Sequence, residues 1–264
     1  MRFFPRKKYS SKGCGKRGRR FNRIVGGTAA SEGEFPWMAS LMSERMDPNY
    51  FCGGALISAW YVLTAAHCLT GYPPHHSIWV RLGEHDFSVN DEHYLDRRVA
   101  KFVVHPDFNR RTLIDDIALI EFTLALPLDE FMQAICLPPP PPPGAGHNVY
   151  EGKEVTVAGW GASSYMGKQT PLLKKVTVPV WSLEECRRSY TEKGLFLRAI
   201  CAGLPEGGKD SCQFDSGGPL MLEEDGTFVV IGLTSWGKDC GAKNFPGVYT
   251  SVNMYLDWIE ENTS

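Results

Sequence analysis

The chain of 264 residues is 43% hydrophobic, 12% aromatic and 22% charged, an ordinary globular balance with enough apolar residues for one large or two small cores. Residues 1–23 carry ten Lys/Arg and no acid, which leaves 18 basic and 30 acidic residues, net −12, in the rest of the chain. An acidic body argues against nucleic acid as a partner, and no run approaches the ~18 apolar residues of a membrane span; collagen-like, coiled-coil and disordered classes are excluded as well.

In chain order, residues 1–23 show no hydrophobic periodicity and are expected to be extended or mobile. They are basic and polar, with no apolar core of a signal peptide. From Ile24 the texture changes to short apolar runs separated by Gly, Pro, Asn and Asp. Examples are Gly54-Ala-Leu-Ile-Ser-Ala-Trp-Tyr-Val-Leu, Ile117-Ala-Leu-Ile-Glu-Phe, Glu154-Val-Thr-Val-Ala-Gly-Trp and Thr227-Phe-Val-Val-Ile-Gly-Leu-Thr. Brief β-branched and aromatic runs between turn signals read as an all-β protein. Six consecutive prolines, Pro138 to Pro143, cannot pair inside a sheet and predict an extended polyproline II segment at the surface. It reads as a stiff connector between two β-rich halves, with a docking site for a proline-binding module as the alternative. Helical spacing is evident only at the end, where Val252, Tyr255, Leu256 and Ile259 predict an amphipathic helix over 252–262.

The eight cysteines, Cys14, Cys52, Cys68, Cys136, Cys186, Cys201, Cys212 and Cys240, are even in number and contain no C-x-x-C pair. That pattern suits disulfides in an oxidising compartment better than zinc; buried thiols in a cytosolic protein are the competing reading. With no signal peptide, the chain is expected to be part of a longer secreted precursor.

Three local sequences carry chemistry: Thr64-Ala-Ala-His67-Cys68, Asp115-Asp116-Ile117-Ala-Leu-Ile, and Asp210-Ser-Cys-Gln-Phe-Asp215-Ser216-Gly-Gly-Pro219. A hydroxyl is a poor nucleophile at neutral pH and needs an adjacent base. Histidine supplies the base, and a carboxylate on its far nitrogen fixes the tautomer and steadies the imidazolium. Each motif alone is weak; together, in the order His, Asp, Ser, they are specific.

With these motifs the chain resembles the trypsin-like serine proteases of the chymotrypsin family over residues 24–264. The likeness extends to Ile24-Val-Gly-Gly27, Phe35-Pro-Trp37, Cys52-Gly-Gly54, Val157-Ala-Gly-Trp160-Gly, Ser235-Trp-Gly237 and Pro246-Gly-Val-Tyr249. The resemblance implies two six-stranded antiparallel β-barrels with the active site between them, a C-terminal helix, and a two-part chain: a basic light-chain remnant (1–23) and a protease domain (24–264). By the same resemblance Ser216 is the nucleophile, His67 the general base and acid, and Asp116 the orienting carboxylate, with Asp115 an adjacent decoy. It also implies the pairings Cys14–Cys136, Cys52–Cys68, Cys186–Cys201 and Cys212–Cys240.

The family pattern places Asp210 at the base of a specificity pocket, where a carboxylate selects Arg or Lys before the scissile bond. Ser211, Gln213, Ser235, Trp236, Gly237, Gly247 and Leu113 complete the implied substrate-binding set. Asp239 stands at the pocket rim, either narrowing it or favouring a basic upstream residue, or as an exposed acid of little effect. Arg23-Ile24 matches the activation junction: cleavage would free the Ile24 amino group to pair with Asp215, so the intact chain is expected to be a zymogen.

The resemblance further implies protein substrates cut after Arg or Lys, an upstream activating trypsin-like protease, protease inhibitors, preceding light-chain domains and an extracellular location, in a clotting or innate-immune cascade. The basic segment is expected to be a processing region, with anionic surfaces as an alternative partner. No cofactor is required. A calcium loop is a candidate at Glu84, Asp91 and Glu92 within Gly83-Glu84-His85 and the residues that follow, although Tyr94 falls where relatives carry their last Glu ligand. His75-His76 reads as an exposed loop pair, and Asn262-Thr-Ser264 as a poor glycosylation acceptor. The main departure is Phe214, where relatives carry Gly; its N–H and that of Ser216 form the implied oxyanion hole. A flipped peptide there would cost roughly 10²–10³ in kcat and leaves a second reading, an impaired protease homologue acting as a binding cofactor.

Overall fold

A computed structural model of the chain describes residues 13–18, 29–44, 50–70, 77–89, 93–144, 148–162, 167–190, 198–207, 215–238 and 241–264. Twelve strands make up two antiparallel sheets. The first is a closed barrel, ordered β1-β2-β3-β6-β5-β4, built from β1 (Met38–Ser43), β2 (Tyr50–Leu56), β3 (Tyr61–Thr64), β4 (Ile78–Leu82), β5 (Leu95–Val104) and β6 (Ala118–Phe122). The second is ordered β8-β7-β10-β11-β12-β9. Its strands are β7 (Glu154–Gly159), β8 (Lys174–Pro179), β9 (Ala199–Ala202), β10 (Pro219–Glu224), β11 (Thr227–Trp236) and β12 (Gly247–Ser251). Its edges curl until Val180 meets Ala202 in a single bridge. The all-β architecture expected from the sequence is therefore present, with one half closed more completely than the other.

Each half has its own core. Leu41, Leu56, Val62, Leu63, Leu82, Ile120 and Phe122 fill the first. Val155, Val157, Val178, Ile200, Leu220, Ile231 and Tyr249 fill the second. Along β5 solvated and covered positions alternate near its start, the period-2 pattern of a half-exposed strand. In β1 and β2 every residue is buried, because the second half covers their outer face. Trp37 is the rivet of that seam: fully buried, it lies 5.3 Å from the Phe228 ring of β11, and its Nε1 faces the Met221 sulfur of β10 at 3.0 Å. The first core thus borrows side chains from the second half.

Three details differ from the sequence reading. A helix, α1 (Leu183–Ser189), lies before β9. With Cys186 its sole buried residue it has no apolar stripe to read, and its signal is the Ser182–Glu185 capping box. At the C-terminus the helical pattern splits into a 3-10 turn, Val252–Met254, and α2 (Leu256–Thr263); Tyr255 between them sits at φ −126°, ψ 15°, outside the helical region. Residues 13–18 are not extended freely but docked. Cys14 is bonded to Cys136, Gly15 exchanges backbone hydrogen bonds with Ala134 and Phe228, and Arg17 reaches Glu34 and Glu223. The proline run takes no strand or helix, with Pro138 buried and Pro139, Pro140, Pro142 and Pro143 exposed.

Candidate active site

The site is assembled where the two halves meet. β3 ends at Thr64, and the chain turns through extended Ala65 into a 3-10 turn, Ala66–Cys68, whose alanines and cysteine are buried. His67 is left on the open side, and the Cys52–Cys68 disulfide ties this turn to β2. Asp116 precedes β6 and is completely buried. Its Oδ1 accepts the backbone N–H of His67 at 2.8 Å, and its Oδ2 lies 2.7 Å from His67 Nδ1. A carboxylate only accepts, so Nδ1 carries the proton and the lone pair of Nε2 faces away from Asp116. An Nε2 lone pair held in that way is a base.

The second half completes the cage around Asp116. The pairing of β11 with β12 shifts register between Thr234 and Trp236, leaving Ser235 as the extra residue of a bulge. The bulge turns the Ser235 hydroxyl onto Asp116 Oδ2, while Thr250 Oγ1 of β12 donates to the Asp116 carbonyl at 2.9 Å. Asp116 therefore belongs to the first half by sequence and to both by hydrogen bonding. Ser235, expected to line the substrate site, spends its hydroxyl on this carboxylate.

Ser216 sits on a turn bolted to both halves. Its carbonyl accepts Gly53 N–H of β2 at 2.8 Å, Gly218 N–H bonds Asp215 O at 2.9 Å, and Gly217 N–H bonds Thr234 O at 2.8 Å. The turn needs glycine at Gly217, which has φ +80°: a Cβ there would stand 2.2 Å from Thr64 Oγ1 and 2.6 Å from Gly53 O. The Cys68 sulfur, in its disulfide, lies 3.6 Å from Ser216 O, so the Ser216 turn packs directly against the turn that carries His67.

Asp215 points inward. Its Oδ1 accepts Gly161 N–H at 2.8 Å, and its carboxylate is wedged so closely between Gly159 and Gly161 that a Cβ on either would lie within 2.4 Å of it. Nearby, burial pushes the Tyr50 phenol well above its ordinary range, and the Asp215 charge adds to that rise.

Asp115, set aside from the sequence as a decoy, turns out to hold its neighbour's loop. At φ +57° it faces the opposite way from Asp116, and its Oδ1 accepts Arg198 at 2.9 Å and the Tyr255 hydroxyl at 2.7 Å. Burial first, then this bond, hold the Tyr255 phenol protonated far beyond its usual range. Arg198 lies 83 residues away and no local motif announces it.

Beside this pair lies a shallow cleft lined by Leu113, Asp115, Arg198, Ser235, Trp236 and Val248, among others. Leu113, at φ +53°, and Trp236, braced by the Tyr190 ring at 4.9 Å, are together in it. The backbones of Gly237 and Gly247 face each other: a Cβ on Gly237 would sit 3.7 Å from Gly247 Cα, in van der Waals contact with it. Arg23, Ile24, Asp210, Ser211, Gln213, Phe214, Asp239 and the Cys212–Cys240 pair lie outside the described residues, while the other three expected disulfides are formed.

Of the candidate calcium residues Glu84, Asp91 and Glu92, Glu84 lies among the described residues. Buried Glu84 accepts His85 N–H at 2.9 Å and Arg81 at 3.3 Å. Arg81 also forks onto Asp96 at 2.8 and 2.9 Å and lies 3.8 Å over the Tyr94 ring. The described donors do not fit calcium, because a guanidinium already neutralises the carboxylate that would lead the coordination. Asp91 and Glu92 lie outside the described residues.

Barrel, seam and site together define a class, and a model of the trypsin family matches residues 24–259, so the chain belongs to the trypsin family of serine proteases. Among its relatives, Trypsin-1 of Astacus astacus is 39% identical over 242 residues, covering 90% of this chain and 99% of that protein. Two proteins of Tachypleus tridentatus are similar over most of the chain. The clotting factor G beta subunit is 35% identical, covering 91% of this chain and 80% of its own length, and the proclotting enzyme is 36% identical, covering 94% and 68%.

Proposed function

We propose that the protein is a secreted serine endopeptidase, made as a zymogen, that cuts protein substrates after Arg or Lys. The observation that carries this reading is the His67 Nδ1–Asp116 Oδ2 pair at 2.7 Å, with Asp116 fully buried and held from both halves. His67 Nε2 takes the Ser216 hydroxyl proton as Ser216 Oγ attacks the carbonyl carbon. The negative charge on the carbonyl oxygen is met by the N–H groups of Phe214 and Ser216. The imidazolium, steadied by Asp116, then returns the proton to the leaving amine, and water repeats the cycle on the acyl-enzyme.

In this reading Asp210 selects the basic residue, and Gly237 and Gly247 leave room for its long side chain. Cleavage between Arg23 and Ile24 switches the enzyme on through an ion pair with Asp215, whose inward wedge between two glycines supports the assignment. The Cys14–Cys136 disulfide keeps residues 1–23 attached as a light-chain remnant beside the 24–264 protease domain. The likeness to two clotting proteins favours a clotting or innate-immune cascade, with an upstream trypsin-like activator and protease inhibitors as partners. No cofactor enters the chemistry, and Arg81 stands in for a calcium ion at Glu84.

A second reading rests on one residue: Phe214, where relatives carry Gly, would make the chain an impaired homologue acting as a binding cofactor. One experiment separates the two. The protein is cleaved after Arg23 and titrated with a fluorophosphonate, alongside Ser216→Ala. One equivalent bound by wild type and none by the variant, with Arg peptides hydrolysed and Phe peptides spared, supports the protease. Absence of labelling in wild type, with labelling restored by Phe214→Gly, supports the cofactor reading.

A further inference from the structure

The cleft beside the Asp115–Arg198 pair has a basic side chain in its lining. Arg198 lines it with its side chain 45% exposed, and the structure spends that guanidinium on one neighbourhood only, Asp115 Oδ1 and the Tyr255 ring. Of its five N–H donors, one is used on Asp115 and the Tyr255 side chain engages the group as well, so only part of the guanidinium is left for a ligand. The wall opposite is the turn from Asn109 to Ile114, pinned by the bridge between those two residues and by Asn109 Oδ1, which accepts the N–H groups of Arg111 and Thr112. That turn places Leu113 in the cleft and leaves Arg110 and Arg111 exposed at its tip. Among the described acids of this region, Asp115 is already committed to Arg198 and Tyr255, and Asp107 lies beside His105. Arg198 thus lines a groove that also holds apolar Leu113 and Trp236, and two more exposed arginines stand on the turn that supplies Leu113.

We infer that the Arg198 end of the cleft is a subsite for acidic side chains, so that the enzyme favours Asp or Glu two to four residues upstream of the bond it cuts. The inference rests on the proposed function for the direction in which substrate lies, and on Arg198, Arg110 and Arg111 for the charge. Carboxylate is the ligand the donors fit, since a guanidinium fork matches its two oxygens.

The test uses activated full-length protein and two peptides, acetyl-Asp-Asp-Gly-Arg and acetyl-Asn-Asn-Gly-Arg, as p-nitroanilides for rates and as free acids for binding to Ser216→Ala protein. Exposed ion pairs give about threefold each, so the acidic peptide should be favoured roughly tenfold in kcat/KM and in affinity at low salt, with the ratio falling toward one at high salt. Because each ratio is taken within one protein, Arg198→Gln and the double variant Arg110→Gln/Arg111→Gln can be compared even where their overall rates differ; each should cut the ratio to a few-fold or less. A wild-type ratio of one or below, or ratios unchanged in both variants, overturns the subsite. Failure of benzoyl-Arg-p-nitroanilide to be hydrolysed would sink the protease reading instead, while the binding ratio still decides the subsite.

Discussion

The two β halves close in different ways, and the site uses both. In the first, β1 pairs with β4 from Ala39 opposite Leu82 to Ser43 opposite Ile78, so the ladder runs unbroken around the barrel. In the second, the edge strands meet at the Val180–Ala202 bridge and are held by clamps around it: Trp181 N–H to Cys201 O at 2.8 Å, Trp181 Nε1 to Gly203 O at 2.8 Å, and the Cys186–Cys201 disulfide pinning α1 to β9. The half carrying His67 and Asp116 closes on itself through a backbone ladder, with the Cys52–Cys68 disulfide inside it, whereas the half carrying Ser216 and Gly237 closes through one bridge and the clamps around it. Rigid base and retained pocket are separate engineering problems, solved by separate means.

The contrast can be broken most severely at the base. Asp116→Asn keeps the side chain's size but offers His67 Nδ1 an ambiguous partner, so kcat on an Arg peptide should fall about 10⁴-fold with little change in melting temperature. A loss below tenfold would mean that the pair is not the base. The clamp comes next. Replacing Cys186 and Cys201 together by Ser opens a loop with a sequence separation of 15, an expected loss of about 3 kcal/mol. Amide exchange should quicken in Ala199–Ala202 while Ala39–Ser43 keeps its protection; equal loosening of both halves would remove the distinction drawn here.

The smallest effect sharpens the comparison by pH. Tyr150, packed in the second core, has its phenol pushed up to about 12 by burial, with the Glu224 charge adding to the rise. The unfolded phenol ionises near 10, so both states are neutral below that pH and stability is fully present. Between about pH 10 and 12 the unfolded chain loses its proton while the folded one keeps it, and stability falls as pH rises. Urea midpoints near pH 9 and pH 11 should therefore diverge less in Tyr150→Phe than in wild type. Tyr50 and Tyr255, also raised by burial, retain part of the decline. An identical slope in the variant would show that Tyr150 does not contribute.

Much of this was legible from residues close together in the chain. His67 and Asp116 lie in short motifs whose neighbours, Ala65, Ala66 and Ile117, are buried, so local pattern and site coincide. The strands announced themselves by composition. What stayed hidden needed contacts between distant segments or carried no apolar signal. Ser235 was visible as a residue of the family pattern, but its hydroxyl is aimed at Asp116 only by a register shift between β11 and β12. The partners of Asp115 come from Arg198 and from the start of the C-terminal helix, and α1 has too few buried residues for periodicity to reveal it.

The shared ligation of Asp116 also has a consequence in time. Ser235 follows it by 119 residues and Thr250 by 134. At about 5–20 residues per second of synthesis, the strands of the first barrel have all been made on the order of 10 s before its aspartate receives those hydroxyls. A nascent chain that ends after β6 carries His67 and Asp116 but lacks the Ser216 turn, the two hydroxyls and the β10 and β11 side chains that complete the first core. The cage around Asp116 is therefore closed only once Thr250, in the last tenth of the polypeptide, has been made.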